Sequence, residues 1–308
     1  MSVPEMPPLS AATAAPGHLY VVATPIGNLE DITRRALGIL ASVDLIAAED
    51  TRRTRKLLAH YQIPAKLLSY HSHNAASRGP ELLRALQTGK AVALVSDAGT
   101  PGFSDPGTLL VDQAWEAGIP VVAIPGPAAG LAALSMSGFS GAVTFIGFLP
   151  RQSKKRFEEL SHLAQEPRVL IFYESPRRLL QTLQEISRTM ADRHILVVRE
   201  LTKMFEQAWR GPVETVLAQL TGQEIRGECT LVLSRPHATT AAPVDVAGFL
   251  LAAAKDASKS GRSLAQEAAA ALGVSRREAY QTYLALQAAG QLPEKKDQSP
   301  ASRLKKKS

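Results

Sequence analysis

Short apolar runs alternate with amphipathic stretches through the first 236 residues of this 308-residue chain. LYVVAT (19–24), VDLIAAE (43–49), KLLSY (66–70), AVALVS (91–96) and IPVVAI (119–124) have the length and composition of buried strands. Between them lie helical patterns such as DITRRALGILAS (31–42) and PELLRALQTG (80–89), the latter with Pro80 near its expected start and Gly89 at its end. Strands and helices in succession predict an α/β fold with a mainly parallel sheet. A second series follows with VTFIGF (143–148), RVLIFYE (168–174), HILVVRE (194–200), EQAWRG (206–211) and ECTLVLS (228–234). Its last two members lie close enough to the preceding run to be antiparallel neighbours.

The break between the two series falls in 125–141, a stretch rich in Pro, Gly, Ala and Ser. Two α/β domains, 18–125 and 126–236, are therefore expected, with the crevice between them as the default ligand site. Beyond Pro236 the chain turns Ala-rich and strand-poor. SLAQ (263–266) has the form of a capping box opening a helix that stops at Gly273, and SRRE (275–278) the form of a second. Two helices joined by so short a turn predict a small helix-turn-helix-like domain over 243–290. Arg276, Arg277, Tyr280 and Tyr283 then sit where such a motif meets nucleic acid; a plain helical cap on the preceding domain is the alternative. Residues 1–17 read as a disordered leader without the basic start and apolar core of a signal peptide, and 291–308 as a basic disordered tail.

Charge sharpens this division. Residues 237–308 carry 11 Lys and Arg against 6 Asp and Glu, so most of the net charge of +7 lies there. A polyanionic partner fits that surplus, and a solubilising tail is the bland alternative. The single cysteine, Cys229, excludes an internal disulfide and a cysteine-built zinc cluster, and no metal site is expected. The apolar segment 121–136 is interrupted by two Pro and two Gly, so no membrane insertion is expected.

The loops after the strands carry the candidate chemistry. The first strand ends in ATPIGNLEDIT (23–33), where Gly27 stands without the other glycines of a dinucleotide fingerprint; no phosphate-binding G-x-x-x-x-G-K-[ST] loop occurs either. The fourth ends in VSDAGTPGFSDPG (95–107), whose small residues let a ligand approach the backbone. Asp97 there can pair with a ligand ammonium, or Asp97 and Asp105 can simply cap turns.

Taken in order, LYVVATPIGNLEDIT (19–33), AEDTRRTRKLL (48–58), SYHSHN (69–74), VSDAGTPGFSDPG, IPGPAA (124–129), FIGFLPR (145–151), FYESPRR (172–178), RELTKMFE (199–206) and GECTLVL (227–233) resemble the tetrapyrrole methylase-like family of S-adenosylmethionine-dependent methyltransferases. The likeness covers roughly 18–236, and the helical tail matches a C-terminal domain known in one branch. It implies two α/β domains with an S-adenosylmethionine cleft between them. Carried over residue by residue, it assigns Ser96, Asp97, Ala98, Gly99 and Thr100 to that cleft, lined further by Ile26, Ala128, Ala129, Tyr173, Leu201 and Cys229.

Departures from the porphyrin-type pattern bear on the substrate. ATPIGN replaces a Gly-rich first loop and SDAGTP replaces G-D-P, which argues against a corrinoid or porphyrin. TRRTRK (51–56), RQSKKR (151–156) and SPRR (175–178) place cations beside the cleft motifs, with Arg52, Arg53, Arg55, Arg151, Lys154, Lys155 and Arg177, together with Arg276 and Arg277, as candidate contacts to RNA phosphates; solvated helix faces are the alternative. The resemblance thus implies 2′-O-methylation of a cytidine ribose in 16S ribosomal RNA, free or in the small subunit, by a cytoplasmic homodimer. A methylase of a small tetrapyrrole-like molecule and a non-catalytic nucleic-acid-binding regulator are the rivals. A ribose hydroxyl needs a proton acceptor as it attacks. Glu174, Asp50 and His73 are the leading candidates, with Glu49 and His71 beside them.

Overall fold

The computed structural model describes residues 13–102, 107–237, 245–255 and 259–292; Asp105, the leader through residue 12 and the basic tail lie outside them. The chain divides into two compact units, the first ending at His237.

The first unit holds two five-stranded sheets. One is built from β1 (Leu19–Val22), β2 (Leu45–Ala48), β3 (Leu67–Ser69), β4 (Val92–Val95) and β5 (Val121–Ile124), all parallel in the order β3-β2-β4-β1-β5. Every residue of β2 and β4 is buried, as expected for strands covered on both faces. Tyr20, Val22, Ile46, Ala48, Ala93 and Val95 pack against Leu37 and Leu40 of α1 (Arg34–Ser42) and Leu58 of α2 (Thr51–His60). The alternate residues Leu19, Leu45, Ala47, Val92 and Leu94 meet Leu82 and Leu86 of α3 (Ala75–Gln87) and Leu110 of α4 (Thr108–Glu116). The connections after β1 and β2 thus use one face and those after β3 and β4 the other, so the chain reverses direction across the sheet beside β1 and β4. Ligands bind outside the carboxyl ends of strands at such a reversal.

The second sheet has β6 (Val143–Phe148), β7 (Val169–Glu174), β8 (His194–Arg199), β9 (Gln207–Pro212) and β10 (Cys229–Leu233) in the order β6-β7-β10-β8-β9. Only β6 and β7 are parallel; β10 runs antiparallel to both β7 and β8, and β9 antiparallel to β8. One face packs on α7 (Pro176–Thr189) and α8 (Val213–Leu220), with Leu160 of α6 (Ser153–Leu163) in the same cluster. The other face is covered by α5 (Ala129–Ser137). Gly130 makes that approach possible, since a Cβ there would stand 3.2 Å from Ile171 and 3.3 Å from Phe145.

Two buried arginines fasten this domain. Arg156 forms a bidentate pair with Glu185 at 2.7 and 2.8 Å. Arg193 is fully buried and donates to the main-chain oxygens of Arg168 and Ser234 at 3.0 Å, and to those of Leu163, Ala164 and Glu166. Arg156 is therefore not part of the surface cationic patch expected from RQSKKR: its position on α6 faces α7, while residues 151–155 are exposed.

The second unit contains α9 (Val246–Ala253), α10 (Gly261–Leu272) and α11 (Arg276–Ala288) around Leu250, Leu264, Ala268, Ala279 and Leu286. Gly273 closes α10 in the left-handed conformation, and Ser275 caps α11 by accepting the Glu278 N–H at 3.1 Å. Three details differ from the sequence expectation. The cap of α10 is Ser260, which accepts from Ser263 N–H at 3.2 Å, one turn before the expected box. A third helix, α9, completes the core, its mostly apolar sequence giving little periodic signal. In the first unit, α3 begins five residues before Pro80, which sits inside it and deprives the Ala76 carbonyl of a helical partner. Among the described residues no helix is long and apolar enough to cross a membrane.

Candidate active site

A cavity of about 320 Å³ opens where the two sheets of the first unit meet, within the size range of small-molecule sites. Its first wall comes from loops following β1, β2, β4 and β5. Thr24 and Gly99 exchange N–H···O bonds of 2.9 Å, tying the first loop to the fourth. Gly99 takes φ +83°, and a Cβ there would lie 3.4 Å from Ile26; this turn favours glycine for both reasons. The Thr100 hydroxyl donates to the Pro127 carbonyl at 3.2 Å, joining the fourth loop to the fifth.

Glu49 and Asp97 interlock at the base of this wall. Asp97 N–H donates to Glu49 Oε2 at 3.2 Å, and Asp50 N–H donates to Asp97 Oδ1 at 2.9 Å. Arg53 approaches Asp97 Oδ2 at 3.5 Å. Burial raises the Glu49 pKa above its ordinary value against the pull of the Asp97 N–H; the Asp97 charge adds to the rise, while Arg53 and His71 oppose it.

The second wall is mainly apolar. Tyr173, Phe148, Leu201 and Cys229 face the cavity, with Ile26, Ala128 and Ala129 of the first wall beside them. Tyr173 packs edge-on to Phe145 and Phe148 at 5.2 and 5.5 Å, and its hydroxyl oxygen accepts the Gly130 N–H at 3.1 Å. Burial pushes the Cys229 thiol up to about 12, so it stays protonated and serves as wall rather than nucleophile. At the rim, Lys203 bridges Glu200 and Glu228 at 2.9 and 3.0 Å, and Glu200 and Thr202 hold positive φ.

The structure brings together Ile26, Asp97, Ala98, Gly99, Thr100, Ala128, Ala129, Tyr173, Leu201 and Cys229 of the expected cofactor residues. Ser96 does not line the cavity; it is buried, with its hydroxyl toward the carbonyls of Ala98 and Gly99. The leading candidate bases fare differently from their sequence reading. Asp50 is the cap of α2, held by Arg52 well below the usual carboxylate range, and it does not line the cavity. His71 and His73 also lie off the cavity wall. Glu174 lines it, but its buried carboxylate is taken up by Ser175 N–H, Arg178 and Thr182. Of the cations, Arg53 reaches the cavity, and Arg52, Arg55, Arg151, Lys154, Lys155, Arg177, Arg276 and Arg277 are exposed. Phe148, Lys203, Glu228 and Thr230 were not singled out individually in the sequence, although each falls in a motif that was.

This architecture, with one parallel and one mixed sheet meeting over an apolar cleft, is that of a known fold. The sequence matches tetrapyrrole (corrin/porphyrin) methylases over residues 18–217, and the chain belongs to that family. Among solved structures it resembles a cobalamin biosynthetic enzyme, cobalt precorrin-4 methyltransferase, at TM-score 0.55 and 19% identity, covering 71% of this chain and 95% of that one. It also resembles uroporphyrin-III C-methyltransferase from Thermus thermophilus, complexed with S-adenosylhomocysteine, at TM-score 0.52 and 20% identity over 70% and 97% of the two chains. Its sequence relatives are nearer. Ribosomal RNA small subunit methyltransferase I of Synechocystis is 46% identical over 89% of this chain and the whole of its own length. The protein of the same name from Thermotoga maritima is 49% identical over 71% of this chain and 98% of its own.

Proposed function

We propose that the protein transfers a methyl group from S-adenosylmethionine to the ribose 2′-hydroxyl of a cytidine in 16S ribosomal RNA. The observation that carries this reading is the identity to ribosomal RNA methyltransferases over nearly the whole chain, two to three times that to the corrin and porphyrin enzymes.

The cavity fits the cofactor's chemistry. The apolar surface of Ile26, Ala128, Ala129 and Leu201 suits an adenine ring, while Asp97 and the main chain of Ala98–Thr100 suit the ammonium and hydroxyl groups of the same molecule. Bound there, the cofactor supplies an electrophilic methyl on a sulfonium. The protein's part is to hold donor and acceptor in line and to exclude water. Exposed Arg52, Arg55, Arg151, Lys154, Lys155 and Arg177 of the first unit supply phosphate contacts, with Arg276 and Arg277 of the second. The reading extends to a cytoplasmic homodimer that acts on the RNA or the assembled small subunit.

The test is incubation of the protein with methyl-labelled cofactor and small subunits lacking the modification. Label is expected in one cytidine ribose, with the adjoining phosphodiester resistant to alkali. Asp97→Ala is expected to weaken cofactor binding by about 1.5–3 kcal/mol, the range for a charged hydrogen bond, measured by calorimetry. Label entering a corrinoid and not RNA defeats the reading.

A further inference from the structure

Methylation of a ribose hydroxyl releases a proton, and the cavity contains few groups able to take it. Among the described residues four carboxylates line the wall: Glu49, Asp97, Glu174 and Glu228. Glu174 is sealed, its side chain fully buried and both oxygens bonded to Ser175, Arg178 and Thr182. Glu228 is a rim group with a 76% exposed side chain paired to Lys203. Asp97 has one oxygen on the Asp50 N–H and the other toward Arg53. Glu49 differs from all three. Only its Oε2 is engaged, by the Asp97 N–H, and Oε1 has no hydrogen-bond partner among the described residues.

We infer that Glu49 is the general base of the methyl transfer, resting on the reaction proposed above. As the ribose 2′-oxygen forms its bond to the methyl carbon, the carbon–sulfur bond breaks and its electron pair stays on sulfur, giving a neutral thioether. The hydroxyl proton passes to Glu49 Oε1 and from there to solvent after product leaves. No further reactant is required.

The surroundings support this role. The Asp97 N–H fixes the carboxylate from one side, so that the free oxygen has a defined direction. Three charged or titratable groups act on it from the packed elements: Asp97 after β4, Arg53 on α2 and His71 after β3. Burial and the Asp97 charge favour a protonated Glu49, and Arg53 and His71 oppose them, leaving the carboxyl above its ordinary value. A carboxylate so adjusted is a stronger proton acceptor than an exposed glutamate.

The experiment is single-turnover methylation of small subunits by Glu49→Gln and Glu49→Asp across a pH series, with cofactor affinity measured on the same samples. The amide oxygen of Gln can still accept from Asp97 N–H, so cofactor affinity is expected within twofold of the parent. The rate at neutral pH is expected to fall by roughly 10²–10⁴-fold. The parent's rate should rise with pH through one ionisation, above that of an ordinary glutamate, and then level off. Glu49→Gln should lack that rise, and Glu49→Asp should regain part of the rate together with the rise. A Gln variant within threefold of the parent rate overturns the assignment. So does a Gln variant that keeps the pH rise, or one that loses cofactor binding in proportion to rate. If the parent itself does not methylate RNA, the proposed function fails first, and that failure is seen without any variant.

Discussion

The first wall of the cavity offers N–H groups, carbonyls and two interlocked carboxylates, whereas the second offers the faces of Tyr173, Phe148, Leu201 and Cys229. The difference follows from strand direction. In the parallel sheet, β1, β2, β4 and β5 all end at the same edge, so four loops leave the strand ladder beside one another. In the mixed sheet β10 enters at that edge antiparallel to its neighbours, and Cys229 is paired with Glu174 on one side and Arg199 on the other. Its backbone is spent in the ladder, so that wall presents chiefly side-chain surface. Polar chemistry belongs to the parallel side, and shape and dryness to the mixed side.

The strongest challenge to this division is Glu174, a carboxylate on the apolar wall. If it is structural, Glu174→Ala should lower folding stability toward the lower end of the about 3–5 kcal/mol expected for a broken buried pair. Arg178 would still keep its contacts to the Leu149 and Pro150 carbonyls, at 3.3 Å each. Urea unfolding measures this, and a cost under about 1 kcal/mol would place Glu174 with the chemistry instead.

A finer test uses Cys229. With the thiol pushed up to about 12, its thiolate is roughly one part in ten thousand at pH 8. Native protein should therefore resist iodoacetamide for hours, and urea-unfolded protein should take up one equivalent. Rapid native labelling would mean that the apolar wall opens to water.

The smallest effect is expected from the second unit. Deleting 243–308 should leave cofactor affinity unchanged while weakening subunit binding and flattening its salt dependence, since fewer cations then displace counterions. Equal salt slopes for the two forms would remove this unit from RNA docking.

Much of the architecture was legible because apolar runs of strand length are followed by Gly- and Pro-containing loops, as at AVALVS before DAGTP. The loops that hold the cavity were legible for the same reason. Which neighbouring side chain turns inward was not. Glu49 and Asp50 are consecutive acids after β2, yet one enters the cavity and the other caps α2. Ser96 sits among the cavity residues in sequence, but its side chain turns into the Ala98–Gly99 bend. Arg156 looked like one more exposed cation until the facing helix supplied Glu185, 29 residues away. Each of these depends on a partner distant in the chain or on a turn whose direction local spacing does not set.

Arg193 carries a different lesson. Its guanidinium is held by five main-chain oxygens, four from residues 163–168 and one from Ser234. A clasp of carbonyls reads no side chain, so those five positions can drift in sequence without loosening it, provided the backbone path stays the same. Position 193 has no such freedom. A lysine there would bring one compact ammonium to oxygens that a planar fork now spans, leaving several of them buried without a donor.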